Sequence, residues 1–368
     1  MILRRSEPGP EQDATTDHDG RPDHDEPISR PDPGVEPVST QALGTQTEIP
    51  PRERGAEPQP AVAAEPVGVP EEPPSPQPPV FQAPPEYGKP HERAGKPRGI
   101  PEIGRAAPDM VVDGADFRTL TVRGASLRGD DHRYSGTTRQ DSMGLWTLRH
   151  PWEGEVLLAC VADGVGSQPL SHRGSELACR LLRAEVEPYV ADLLDVGERS
   201  RRDEAARQLI ERVALRMRGD IQDFGTDPRT LSTTLVVALV ELTSVEAPRN
   251  CFVFGVGDST ALLLRDGAFR GLWTDKHGDG AISDSRTDAL PGHVGSVATA
   301  EARLGGDDAL VICTDGLANP MRGEEVEEHL VRQWSSRPVP GLLEFAWQLS
   351  FRAKSYGDDR TAVCVWGR

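Results

Sequence analysis

Aspartates that close apolar runs are the residues of this chain best placed to do chemistry. They stand in Val161-Ala162-Asp163-Gly164-Val165-Gly166, Gly255-Val256-Gly257-Asp258-Ser259, Ile312-Cys313-Thr314-Asp315-Gly316-Leu317 and Gly357-Asp358-Asp359-Arg360-Thr361. A fifth, Gln140-Asp141-Ser142, precedes a short apolar run at Leu145 to Leu148. Buried strands ending in carboxylates bring those carboxylates to one edge of a sheet. Several convergent carboxylates cannot all ionise side by side unless a cation neutralises them. Oxygen ligands without Cys or His partners point to hard cations, Mg²⁺ or Mn²⁺, rather than zinc.

The elements that must carry these residues follow from hydrophobic period. Strands are expected at Phe117–Ser126, Leu145–Leu148 and Glu155–Ala162. From Ser171, a plausible N-cap, the period becomes helical, with Leu177, Leu181, Leu182, Val186 and Val190 on one face. A second helix covers Arg201–Ile221. Strands follow at Thr234–Leu242, Asn250–Val256, Thr260–Arg265 and Ala268–Trp273, with a hairpin signal at Arg265-Asp266-Gly267. Residues 274–300, polar and Gly-rich, read as an irregular surface loop. The chain closes with a strand at Asp308–Cys313, helices at Glu324–Ser335 and Pro340–Lys354, and a strand at Arg360–Trp366. Hairpin-linked strands with helices arriving in consecutive pairs imply an α+β fold. The expected form is a four-layer αββα sandwich of two antiparallel sheets flanked by helix pairs.

Composition bounds the rest. Most of the 33 prolines fall in the first hundred residues, among acidic and small polar side chains. Residues 1–86 carry 17 acidic and 6 basic side chains, the larger part of the net charge of −18. Such a stretch buries too little apolar area to offset its conformational entropy. Residues 1–108 are therefore expected to be a disordered Pro- and acid-rich tail and linker, and 109–368 one folded domain. Pro73–Pro79 could recruit a partner, or the tail could be a charged spacer. No targeting segment or membrane-length apolar run is visible. The five cysteines sit in apolar runs without metal-like spacing, and their odd number suits free thiols in a cytoplasmic protein. The acidic charge and the lack of a basic stripe exclude nucleic acid as a natural partner.

The four motifs, in this order at strand ends, resemble the metal-dependent protein phosphatases of the protein phosphatase 2C family, especially the bacterial branch. The resemblance spans about 118 to 368, with Thr233-Thr234 opening one strand and Val256-Gly257-Asp258-Ser259 following the next. It implies that Asp163 bridges two Mn²⁺ or Mg²⁺ ions with the Gly164 carbonyl as a further ligand. Asp315 and Asp358 would complete the shell. Asp258 with Asp315 would hold a third, weaker ion, unless Asp258 only caps a strand. Asp141 would act through metal-bound waters, unless it is a loop residue. Asp359 stands where the family often has Asn, and Thr361 would support that loop.

One departure concerns the phosphate. The family commonly places an Arg about five residues before its first acidic ligand, and here that residue is Gly136. Gly129-Asp130-Asp131-His132-Arg133 precedes it, so His132 and Arg133 are phosphate-binding candidates, with Arg139 a third, while His172 reads as an exposed residue of a helix's first turn, with a proton donor as the alternative. The bland alternative is that His132 packs or caps a loop. Ser259 reads as a turn partner, because no nucleophile elbow or paired His accompanies it.

The resemblance implies hydrolysis of phosphoserine and phosphothreonine in proteins by a metal-activated water. Substrates would belong to a cognate serine/threonine kinase system, and nothing requires more than a monomer. The rival is a catalytically weak or inactive phosphatase-like binding module. The loop at 274–300 would be either a substrate-shaping flap or a passive connection.

Overall fold

The computed structural model describes residues 82–368 except 90, 103–106, 153, 223–225, 243–247, 274–287, 293 and 296. These all belong to the second of the two units into which the chain divides, residues 78–368. Most of the expected tail, and residues 274–287 of the expected surface loop, lie outside the described residues.

In chain order the elements are β1 (Glu86–Tyr87), β2 (Met110–Asp116), β3 (Leu120–Leu127), α1 (Asp130–Ser135), β4 (Ser142–Arg149), β5 (Glu155–Ala162) and α2 (Ser171–Glu185). Then come α3 (Val190–Leu193), α4 (Arg199–Gln222), β6 (Leu235–Glu241), β7 (Arg249–Val256), β8 (Thr260–Arg265), β9 (Ala268–Gly271) and β10 (Ala298–Leu304). The last are β11 (Ala309–Cys313), α5 (Asp315–Met321), α6 (Glu324–Trp334), α7 (Leu342–Leu349), β12 (Arg352–Ala353) and β13 (Arg360–Gly367).

Two antiparallel sheets stack, one ordered β10-β7-β6-β5-β4 and the other β2-β3-β13-β11-β8-β9. The apolar strands feed two cores at once, because alternate residues face opposite sides. In β5, Leu157, Ala159 and Val161 join the core between the sheets, while Leu158, Cys160 and Ala162 pack under α2 and α4. In β11, Leu310 and Ile312 face the inter-sheet core, and Val311 and Cys313 face α5, α6 and α7. Three apolar layers between four structural layers give the expected α+β sandwich. All five cysteines are buried free thiols.

Several boundaries differ from the sequence reading. The first strand is a hairpin of β2 and β3, since Phe117 N–H donates to the Leu120 carbonyl (2.9 Å) and turns the chain. Leu170, not Ser171, occupies the N-cap of α2, and Ser171 is already inside the helix. Residues 298–304 form β10, an edge strand whose polar alternation hid it. The expected helix at 340–354 shrinks to α7, because Arg352 and Ala353 pair in parallel with Glu86 and Tyr87. The Asp266-Gly267 hairpin turn is as expected, both residues holding positive φ (54° and 72°).

Candidate active site

Each carboxylate sits where a strand runs out. Asp163 follows β5, and a hydroxyl-bearing segment clamps its backbone. The Asp163 N–H donates to Thr234 Oγ1 (2.9 Å), and the Asp163 carbonyl accepts from Thr234 N (2.8 Å) and Thr233 Oγ1 (2.8 Å). Thr234 Oγ1 in turn pairs with Ser259 Oγ at 2.7 Å, so Ser259 is a buried hydroxyl partner. Gly164 runs so close to its neighbours that a Cβ would lie 2.7 Å from the Gln140 carbonyl oxygen and 2.8 Å from that of Ser171. Only glycine lets the loop after β5 pass there. Asp258 stands exposed at the end of β7, after Gly257 at φ +100°.

Asp315 opens α5 after β11, and Asn319 one helical turn later donates to its Oδ2 (3.0 Å). Thr314 ties three strand ends together. Its Oγ1 donates to Asp141 Oδ2 (2.8 Å) and accepts from Thr361 N (3.1 Å), while its N–H donates to the Thr361 carbonyl (3.0 Å). Asp358 precedes β13 and leaves 63% of its side chain exposed, whereas Asp359 beside it is buried.

The five carboxylates share one electrostatic environment. Burial pushes the Asp163 carboxyl well above the ordinary aspartate range. Asp141, Asp315, Asp358 and Asp258 push it further in the same direction. Asp141 is likewise raised by burial and then by Asp359 and Asp358, against hydrogen bonds from Thr361 and Thr314. Residues from both sheets thus converge on Asp163. An all-oxygen set with this much unrelieved repulsion suits one or more hard divalent cations.

The other candidates divide. His132 sets Nδ1 2.8 Å from Asp359 Oδ1 and Nε2 3.9 Å from Asp358 Oδ1. Burial opposes its protonation, but the Asp359 hydrogen bond and the charges of Asp359, Asp358 and Asp141 leave its pKa raised. Among the described residues, His132, Asp358 and Asp359 are the one trio of ligating side chains whose atoms lie within 4.8 Å of one another. Asp359 is nevertheless occupied, accepting from Gly129 N (2.7 Å), His132, Gln140 N and Asp141 N (3.4 Å). Arg133 is engaged by Asp109 (2.7 Å) and Asp130 (3.8 Å). Arg139 is buried, bonded to Ser126 Oγ (2.6 Å) and to the carbonyls of Pro108 and Asp141. His172 is the second residue of α2. Sequence reasoning missed Asp359 as the acceptor that gathers three loops, and Asn319 as the support of Asp315. The four-residue spacing from Asp315 was the available signal for Asn319.

Comparison with known proteins adds a lineage. A family model described as Protein phosphatase 2C matches residues 128–340, more than half of the chain. The matched stretch contains Asp141, Asp163, Asp258 and Asp315 and ends before Asp358. Among solved structures, the chain is similar to PppA, described as a key regulatory component of T6SS in Pseudomonas aeruginosa. The identity is 19%, over 70% of this chain and 100% of that one, with a TM-score of 0.46. It is similar to the catalytic domain of the serine threonine protein phosphatase PstP, solved with two manganese ions (21% identity, 67% and 97% covered, TM-score 0.44). RsbX, solved in complex with magnesium, is also similar (16% identity, 70% and 100% covered, TM-score 0.43). No curated protein matched the chain.

Proposed function

Because the chain belongs to the protein phosphatase 2C family, we propose that it hydrolyses phosphoserine and phosphothreonine in proteins with the help of Mn²⁺ or Mg²⁺. The observation that carries this reading is Asp163, buried at a strand end with four further carboxylates acting on it. Asp163, the Gly164 carbonyl, Asp315 and Asp358 would hold two ions. Asp258 with Asp315 would hold a third, and Asp141 would act through waters of hydration. Such ions, when bound, supply a water of lowered pKa and neutralise charge developing on the phosphoryl oxygens.

The chain's own residues do the positioning. Thr233 and Thr234 fix the Asp163 backbone, Thr314 orients Asp141, and Asn319 orients Asp315. His132 is the candidate for the substrate phosphate. Its raised pKa favours the cationic form, and its Nε2 lies at the Asp358 side of the site. Arg133 would first have to leave Asp109 and Asp130, so it ranks second for this role. The physiological substrates would be phosphoproteins opposed by a serine/threonine kinase.

The test is phosphate release from a phosphothreonine peptide by the full chain, with and without Mn²⁺. Turnover that requires Mn²⁺ and disappears in Asp163→Asn and Asp315→Asn is the expected result. Mn²⁺ binding without turnover on any phosphopeptide would overturn it in favour of a binding module.

A further inference from the structure

We propose that residues 86–89 and 91–100 form a strap that positions the carboxylate loops, acting through α1 and Asp359; this rests on the metal-dependent reading above. The helix α1 cannot hold itself. It has six residues, none of them fully buried, and no side-chain N-cap bond. A helix of that length is unstable alone. Yet it must place His132 against Asp359, and the Gly129 N–H just before it donates to the same carboxylate oxygen. That carboxylate fixes the backbone of Gln140 and Asp141. The backbone at Gln140 and Asp141 is therefore held through whatever holds α1.

The strap supplies that support. Gly95 N–H donates to Asp130 Oδ2 (2.9 Å), and Arg98 N and Gly99 N donate to the Arg133 carbonyl (3.0 and 3.1 Å). Arg93 and Arg98 lie against the Tyr134 ring, 5.4 and 4.8 Å from its centroid, and Arg98 Nη1 reaches the Tyr134 hydroxyl (3.1 Å). The strap is itself anchored. Its strand β1 pairs with β12, Tyr87 packs edge-on against Phe351 (5.8 Å), and His91 N donates to the Lys354 carbonyl (3.1 Å). Arg352 bridges strap and helix, bonding Glu86 (3.2 Å) and Asp130 (2.9 Å). The Gly357 carbonyl, next to Asp358, accepts from Asp131 N (2.9 Å). Strap, α1 and the 354–359 loop thus form one hydrogen-bonded assembly. The strap precedes residue 128, where the family match begins, and it touches none of the five carboxylates directly in these contacts. Its residues are positioning residues, not catalytic ones.

The experiment uses full-length protein carrying Gly95→Pro, Tyr134→Ala or Tyr134→Phe. Proline removes the Gly95 N–H and cannot adopt its φ of +64°. Three quantities are read: metal-free hydrogen exchange at the Gln140 and Asp141 amides, Mn²⁺ affinity by calorimetry, and the metal-free unfolding midpoint. Gly95→Pro and Tyr134→Ala should speed exchange at Gln140 and Asp141 while β5 and β11 stay protected. They should weaken Mn²⁺ binding about 10- to 100-fold, the range for residues that orient metal ligands. Tyr134→Phe, which keeps the ring, should stay near wild type. Unchanged exchange at both amides in the first two variants would overturn the strap's role. So would a uniform rise in exchange across β5 and β11, which would mark mere structural support. A wild-type chain that neither binds Mn²⁺ nor hydrolyses a phosphopeptide would sink the functional reading. The exchange result would still decide the strap.

Discussion

Asp359 shows why a single atom type matters here. The family resemblance leads one to expect Asn, but every partner of this buried carboxylate is a donor: Gly129 N, His132 Nδ1, Gln140 N and Asp141 N. An amide would aim its NH₂ at some of those N–H groups and leave them unpaired. Asp359→Asn should cost about 1–3 kcal/mol, lowering the unfolding midpoint by about 2–4 °C per kcal/mol in a domain of this size. An unchanged midpoint would show that those donors are satisfied elsewhere. Asp163 should behave in the opposite way. Its pKa in the folded state is raised well above the ordinary aspartate value by burial and then by the neighbouring carboxylates. Its favourable contribution is therefore complete only below that value, and is lost as pH rises through the raised one. At pH 7, above the ordinary aspartate range, this upward shift works against the metal-free fold. Asp163→Asn should raise the metal-free midpoint at pH 7, by on the order of 1 kcal/mol per pKa unit relieved. The advantage should shrink as pH falls toward 4. Paired melting curves across that range check it, and a pH-independent difference would refute the electrostatic origin.

Among the secondary elements, close backbone approach fixes the site. A Cβ on Gly316 would lie 1.8 Å from the Asp359 carbonyl oxygen, and the Gly316 carbonyl accepts from Arg360 Nε (3.1 Å). The start of α5 is thereby locked to the start of β13, which sets Asp315 against Asp358. Gly316→Ala should cost about 1–3 kcal/mol or more and abolish the Mn²⁺ response. Gly219→Ala is the control, since its Cβ meets nothing on the outer face of α4. It should stabilise by about 0.5–1 kcal/mol. Calorimetry on both variants tests the contrast. The same scale explains what the sequence made legible. Strands such as β5 and β11 are apolar throughout because both faces are buried, and α2 and α4 carry long one-sided patterns, so they could be read directly. The helices α1 and α5 have six and seven residues, too short for a period, and contacts distant in sequence hold them. β10 alternates polar residues at a sheet edge. The strand-end aspartates were legible from their apolar approaches and glycines. The role of Asp359 was not, because its donors come from residues over 200 positions away.

For the molecule as a whole, the carboxylates do not come from one layer. Asp141, Asp163 and Asp258 flank strands of the five-stranded sheet, and Asp315 and Asp358 flank strands of the six-stranded one. Cations held among them would join the two sheets at one edge of the sandwich, where repulsion otherwise works to part them. The inter-sheet core supplies attraction along the rest of the interface through residues such as Leu157, Val236, Ile312 and Val363. It is non-directional and does not fix how the two edges sit. Metal should therefore act on stability as well as on chemistry. At a hundred times its dissociation constant, Mn²⁺ binding to the folded state alone adds about 2.7 kcal/mol per site, or roughly 2–4 °C per kcal/mol. Thermal scans of the full chain with EDTA and then with saturating Mn²⁺ should show such a rise. The rise should disappear in both Asp163→Asn and Asp315→Asn, since each removes a proposed ligand from a different sheet. A rise that survived in Asp315→Asn but not in Asp163→Asn would place the ion on one sheet only, and the picture of a metal joint between the two would fail.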